Sequence, residues 1–159
     1  MVDKNNRIIV ELLDHQFARL IENLRRLIAS TPSESLYKKS SAASIGENIV
    51  RSAGAIEQTF GGLTSNLWDD PFEWTLPETL SNERSLLDYL SGVEALKNRA
   101  FVSFFDDTIL LKSISMPSGE TCRLVELLVS TMLRVSDYQG RAAAMLKLLS
   151  EEDATRFII

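Results

Sequence analysis

The run RLVELLVSTMLRVSDYQGRAAAMLKLL, residues 123 to 149, constrains the fold of this chain more than any other stretch. Leu124, Leu127, Leu128, Met132, Val135, Ala142, Met145 and Leu149 recur near the 3.6-residue period of an α-helix, which predicts one long amphipathic helix. Such a helix has to bury its apolar stripe against other elements. Arg134 and Tyr138 stand four residues apart on it and leave the same face, with Arg141 about one turn further on. Gly140 lies inside the pattern, where it costs roughly 1 kcal/mol relative to alanine unless close packing needs it.

Three further segments share this periodicity. Residues 4 to 29 carry Ile8, Leu12, Leu13, Phe17, Leu20, Leu24, Leu27 and Ile28 on one stripe, and Ser30-Thr31-Pro32 ends the helix because proline cannot continue the ladder. Ser44-Ile45-Gly46-Glu47 matches the Ser-x-x-Glu capping box and opens a second helix, which runs to about Leu63 and is closed by Gly61-Gly62. Ser81 caps a third, whose inner face is Leu86, Leu87, Leu90, Val93, Leu96, Ala100, Phe101 and Phe104, with Asp106-Asp107 at its exit. Between the second and third lies a long aperiodic stretch holding Trp68, Phe72 and Trp74, placed to cover the end of a bundle or to line a pocket. The turn-rich bridge Met116-Pro117-Ser118-Gly119-Glu120-Thr121, with room for short extended pieces, leads into the fourth helix, and Thr121 is positioned to cap it. Four long amphipathic helices, no sustained strand pattern and no repeat predict a single all-α four-helix bundle over residues 1 to 159, with a long loop after helix two and a short bridge before helix four.

Composition removes several functions. With 45% hydrophobic and 25% charged residues the chain reads as an ordinary globular domain. A net charge of −5, with basic residues scattered among acids, argues against nucleic-acid binding. No apolar run reaches the roughly 18 residues of a membrane span. The opening MVDKNNRIIVELLDHQ has acids inside its apolar segment and no small-residue cleavage site, so no secretory leader is expected there. A lone Cys122 permits no internal disulfide and fits a cytoplasmic setting. His15 is the single histidine and has no serine or cysteine at a suggestive spacing, and neither a phosphate loop nor a dinucleotide fingerprint is present.

In order and spacing, several segments resemble the DinB-like (DinB/YfiT-type) family of four-helix bundles over nearly the whole chain. They are the first helix with its proline stop, Ser44-Ile45-Gly46-Glu47, the segment Phe104-Phe105-Asp106-Asp107-Thr108-Ile109-Leu110 followed by Met116 to Thr121, and Tyr138-Gln139-Gly140-Arg141, where the family commonly shows His-Arg-Gly-Gln. The resemblance implies a divalent metal held by three histidines, one on helix two and an H-x-x-x-H pair on helix four. Here those positions are Arg51, Arg134 and Tyr138. An arginine stays protonated near neutral pH and a tyrosine hydroxyl keeps its proton, so neither is an ordinary ligand for a first-row metal. The implied member is thus metal-free, without a cofactor, and keeps two guanidinium groups where imidazoles would meet. Like charges in a low dielectric have to be neutralised. Carboxylates such as Glu47, Asp137 or Asp14 can supply this as an internal network that pins the bundle. A bound anion is the second option, and opening to water the third.

Three functional expectations follow. The first is a soluble bundle, homodimeric as the resemblance implies, whose degenerate pocket of Arg51, Arg134 and Tyr138 has His15, Glu47 and Asp137 as neighbours and binds a small acidic molecule. The second is a metal-dependent thiol transferase or isomerase with substitute ligands among His15, Glu47 and Asp137, in which the metal would generate a thiolate. The third is an interaction module that docks a partner through the tryptophan loop or a helix face.

Overall fold

The computed structural model describes residues 4–73 and 78–156. It is the expected all-α four-helix bundle: α1 spans Ile8–Ser30, α2 Ile45–Ser65, α3 Glu83–Ser103 and α4 Leu124–Arg156. A two-stranded antiparallel hairpin, β1 (Ser113–Ser115) and β2 (Thr121–Arg123), joins α3 to α4. Among the described residues no helix is long and apolar enough to cross a membrane. Around the bundle axis the helices follow the order α1, α3, α2, α4, so α2 and α4 share one seam.

Burial selects a narrower register than the sequence stripes. On α1 the core residues are Val10, Leu13, Phe17, Ile21, Leu24 and Ile28, at steps of three or four, whereas Ile8 and Leu12 are exposed at 62% and 54%. The first turn of α1 is oriented from across the bundle. The backbone N–H groups of Ile9 and Val10 donate to Asp107 Oδ1 at 3.0 and 2.9 Å, placing an acid at the positive end of the helix dipole. On α4 the buried row is Leu124, Leu128, Thr131, Val135, Gln139 and Ala142, while Leu127, Met132, Met145 and Leu149 are only half-buried. Two polar residues are therefore in the core row, and both have partners: Gln139 Nε2 donates to Leu20 O at 2.7 Å, and Thr131 meets Thr59. At the centre Phe17, Phe60 and Phe101 form an aromatic cluster, with Phe17 and Phe60 edge to face at 5.0 Å.

Helix ends correct three expectations. The capping box at Ser44 is present, with Glu47 N donating to Ser44 Oγ at 3.1 Å and Ser44 N to Glu47 Oε2 at 2.7 Å. Gly61 and Gly62 do not close α2: the helix runs on to Ser65, and Asn66 ends it in the left-handed conformation at φ 55°. The cap of α3 is Asn82 rather than Ser81, because Ser85 completes a reciprocal box with it. Thr121 is paired in β2 rather than capping α4, and Glu126 instead reaches back to accept from Arg123 N at 2.7 Å. The bridge of residues 116 to 120 is the hairpin turn, with Gly119 at φ 86°.

Gly46 lets Tyr37 lie against the start of α2, since an added Cβ would come within 2.4 Å of the tyrosine ring. Burial, assisted by the nearby Glu47 carboxylate, pushes the Tyr37 hydroxyl up to about 12 while it donates to Leu80 O. Gly92 and Gly140 have no such role, because a Cβ at either position meets nothing within 4 Å. Gly92→Ala and Gly140→Ala are each expected to raise stability by about 0.5–1 kcal/mol, read as a shift of the urea midpoint at constant m-value. A loss of stability in either variant would mean that a neighbour does approach that helix face.

Candidate functional site

The seam between α2 and α4 is stitched by polar side chains set into otherwise apolar helices. Ser52 Oγ donates to Val135 O at 3.0 Å, and Thr59 and Thr131 share a 2.6 Å hydrogen bond. Immediately outside this seam, Arg51, Ala55 and Gln58 of α2 face Arg134 and Tyr138 of α4 across a cleft of about 40 Å³, with Asp70 from the following connection at its edge. Helical spacing explains the alignment: residues 51, 55 and 58 lie one turn apart on α2, as do 134 and 138 on α4. Arg51, Arg134 and Tyr138 are thus brought to one place.

The charges in the cleft are only partly answered. The Arg51 guanidinium lies over the Phe72 ring, 3.8 Å from its centroid, a cation–π contact that leaves its N–H donors free. No hydrogen bond or ion pair joins Arg51 or Arg134 to another described residue. Among the described residues Asp70 is the one acid at the cleft, and its Oδ1 accepts from Phe72 N at 3.0 Å. Tyr138 is half-buried, with the Arg141 guanidinium 5.4 Å from its ring centroid.

The carboxylates expected to neutralise the two arginines are occupied elsewhere. Glu47 is held in the capping box at the start of α2. Asp14 accepts from Lys97 Nζ at 2.6 Å between α1 and α3. Asp137 pairs with Arg141 at 2.7 Å on the outer face of α4. His15 is exposed on α1, a helix that contributes nothing to the cleft walls. Among the described residues, no salt bridge from these carboxylates reaches Arg51 or Arg134.

A second, larger hollow of about 420 Å³ adjoins the cleft, and Gln58 and Arg134 belong to the walls of both. Its apolar sides are Trp68, Met116, Pro117 and Leu127, contributed by the connection after α2, the hairpin turn and α4. Trp68 is seated against Gly62, indole Nε1 donates to Asn66 Oδ1 at 2.9 Å, and Trp68 O accepts from Gln58 Nε2 at 2.9 Å. The tryptophan loop thus lines a pocket, and Phe72 forms the bed under Arg51; Trp74 lies outside the described residues. Gln58, Thr59, Asp70 and Thr131 were not expected at the site. A polar row on α2 at residues 48, 52 and 59 was the signal that could have found the seam.

Two guanidiniums and a phenol do not fit the divalent metal that the resemblance implies. Among the described residues no three His, Cys, Asp or Glu side chains gather into a metal-binding group. What the arrangement can do is hold an anion, because arginine forks pair with carboxylate or phosphate oxygens in planar, bidentate geometry. Fold and site together define an all-α bundle with a cationic cleft between its second and fourth helices. Compared with protein-family models, curated proteins and solved structures, the chain matches none of them.

Proposed function

We propose that this chain is a DinB-like bundle protein in which the three-histidine metal site is replaced by a metal-free cleft that binds a small acidic molecule. The observation that carries this reading is that Arg51 and Arg134 line one cleft while Glu47, Asp14 and Asp137 are engaged elsewhere. Among the described residues, two cations against the carboxylate of Asp70 leave a net positive charge at a partly enclosed site, where an anion is attracted more strongly than in open water. Tyr138 contributes a hydroxyl beside the cationic pair. On this reading the protein is cytoplasmic, as its lone Cys122 suggests, and homodimeric, as the resemblance implies.

The test is a titration of acetate, phosphate and chloride at constant ionic strength, followed by thermal melting and paired with elemental analysis of untagged protein. A saturable rise in melting temperature with acetate or phosphate but not chloride is expected, corresponding to a stabilisation of about 2.7 kcal/mol when the anion stands 100-fold above its dissociation constant. Arg51→Gln and Arg134→Gln should each abolish that rise without changing helicity. An equal rise in the variants would overturn the reading. So would stoichiometric nickel, zinc, manganese or iron in the purified protein, which would favour the thiol transferase or isomerase instead.

A further inference from the structure

We infer that the acidic molecule is a carboxylate borne on a flat, mainly apolar body of arylacetate type, with its charged end between Arg51 and Arg134 and its ring in the hollow against Trp68. This rests on the anion-binding reading and adds what the rest of the ligand must be. The cleft between the arginines, about 40 Å³, is about a tenth of the volume of the hollow beside it and suits the small oxyanion head of a ligand rather than its body. The adjoining hollow of about 420 Å³ lies within the roughly 300–1,000 Å³ typical of small-molecule pockets. Because Arg134 borders both, one ligand can fill both.

The hydrogen bonds lining the larger hollow fix which end goes where. Thr131 Oγ1 donates to Leu127 O at 2.9 Å, so in the 2.6 Å contact between the two threonines the proton must come from Thr59. Both hydroxyl protons are spent, and this part of the wall turns only lone pairs toward a ligand, which repel an anion. The Trp68 indole N–H is spent on Asn66, and one of the two Gln58 Nε2 protons on Trp68 O, which leaves Gln58, a wall of the cleft as well, one N–H for the carboxylate end. Trp68 therefore offers its ring and not a donor, and Met116, Pro117 and Leu127 add apolar surface beside it. A charge placed against Trp68, Met116, Pro117 and Leu127 would meet apolar surface that a flat apolar body matches, whereas Arg134, shared with the cleft, answers the carboxylate; Ser118 and Ser130 are the remaining polar residues of the wall. The net charge of the cleft among the described residues, two arginines against Asp70, suits a singly charged carboxylate better than a dianion.

Calorimetric titration of the wild-type chain with phenylacetate, acetate and phenylacetamide decides this. Phenylacetate is expected to bind at least about tenfold more tightly than acetate, through the buried ring, and at least about tenfold more tightly than phenylacetamide, through the charge. Trp68→Leu should erase the first difference and Arg134→Gln the second, and Trp68→Phe, which keeps a flat ring, should retain most of the first. Equal affinity for phenylacetate and acetate, both lost in Arg134→Gln, would overturn this inference and leave the anion site standing. Equal affinity for phenylacetate and phenylacetamide would overturn both. So would no heat from any of the three up to about 10 mM, weaker than any affinity worth assigning to the site.

Discussion

Asp14→Ala is expected to cost about 3 kcal/mol of folding stability, far more than a half-exposed aspartate suggests, because of what it leaves behind. Lys97 is 3% exposed, and its ammonium, 2.6 Å from Asp14 Oδ1, lies 5.7 Å from the Phe101 ring centroid. Removing the carboxylate strands a charge among apolar neighbours without its partner. The cost falls at the lower end of the roughly 3–5 kcal/mol seen for buried pairs because the Asp14 side chain is 41% exposed and water can enter where it stood. Lys97→Met should cost less than about 1 kcal/mol or even stabilise, since an unbranched apolar chain fills the same channel and releases Asp14 to solvent. The double variant should match Lys97→Met to within about 0.5 kcal/mol, because the damage in Asp14→Ala comes from the stranded ammonium. Arg141→Ala is the internal control, since its pair with Asp137 is 59% and 58% exposed and should be worth less than about 0.5 kcal/mol. Urea denaturation of the four variants reads all of this. An Asp14→Ala cost no larger than the Arg141→Ala cost would show that the Lys97 site is wet and the pair unimportant.

That pair also marks where sequence reasoning stops. Lys97 lies in a helix whose apolar spacing was plain, but a lysine at that position reads equally well as a snorkelling surface residue. Its partner is 83 residues away, and Asp14 had been offered to the arginines instead. Four helices were legible because each repeats its stripe over several turns. Register was less so: on α1 the apolar residues are dense enough that two stripes fit, and contacts across the bundle, with Asp107 on the first turn, decide for Val10 and Ile21 over Ile8 and Leu12. Local motifs fared better than long-range ones. The Ser44 box depends on residues three apart and could be read directly, whereas Ser81 and Asn82 are both good caps and only the Ser85 side chain separates them. At the site, the i,i+4 rule placed Arg134 and Tyr138 on one face. Their meeting with Arg51 depends on α2 and α4 being neighbours, which the order of helices along the chain does not dictate. The engagements of Glu47 and Asp137 were within reach, since the capping box and the i,i+4 pair with Arg141 are both local patterns. The larger hollow was not, because it needs Trp68 and the hairpin turn folded back beside α4.

Gly62→Ala is expected to cost about 2 kcal/mol, opposite in sign to Gly140→Ala although both change a glycine inside a helix. Alanine is the better helix former by about 1 kcal/mol, and at Gly140 nothing opposes that gain. At Gly62 a Cβ would lie 2.2 Å from Trp68 Cε3 and 2.3 Å from Cδ2, well inside van der Waals contact. The clash cannot be relieved by a small ring rotation. Trp68 is held through its indole N–H by Asn66 and through its carbonyl by Gln58, and the backbone just before it is tied where Leu67 N donates to Gly61 O at 3.1 Å. The indole must therefore leave its seat or drag the connection with it, losing apolar burial in the first case and the left-handed cap of Asn66 in the second. Either movement also removes one side of the hollow. Gly62→Ala should consequently weaken phenylacetate binding while sparing acetate, and tryptophan emission should shift red in a Trp74→Phe background as Trp68 meets water. A Gly62→Ala variant as stable as Gly140→Ala, with unshifted emission, would show that the tryptophan does not rest on α2 and would take away the wall on which the arylacetate inference depends.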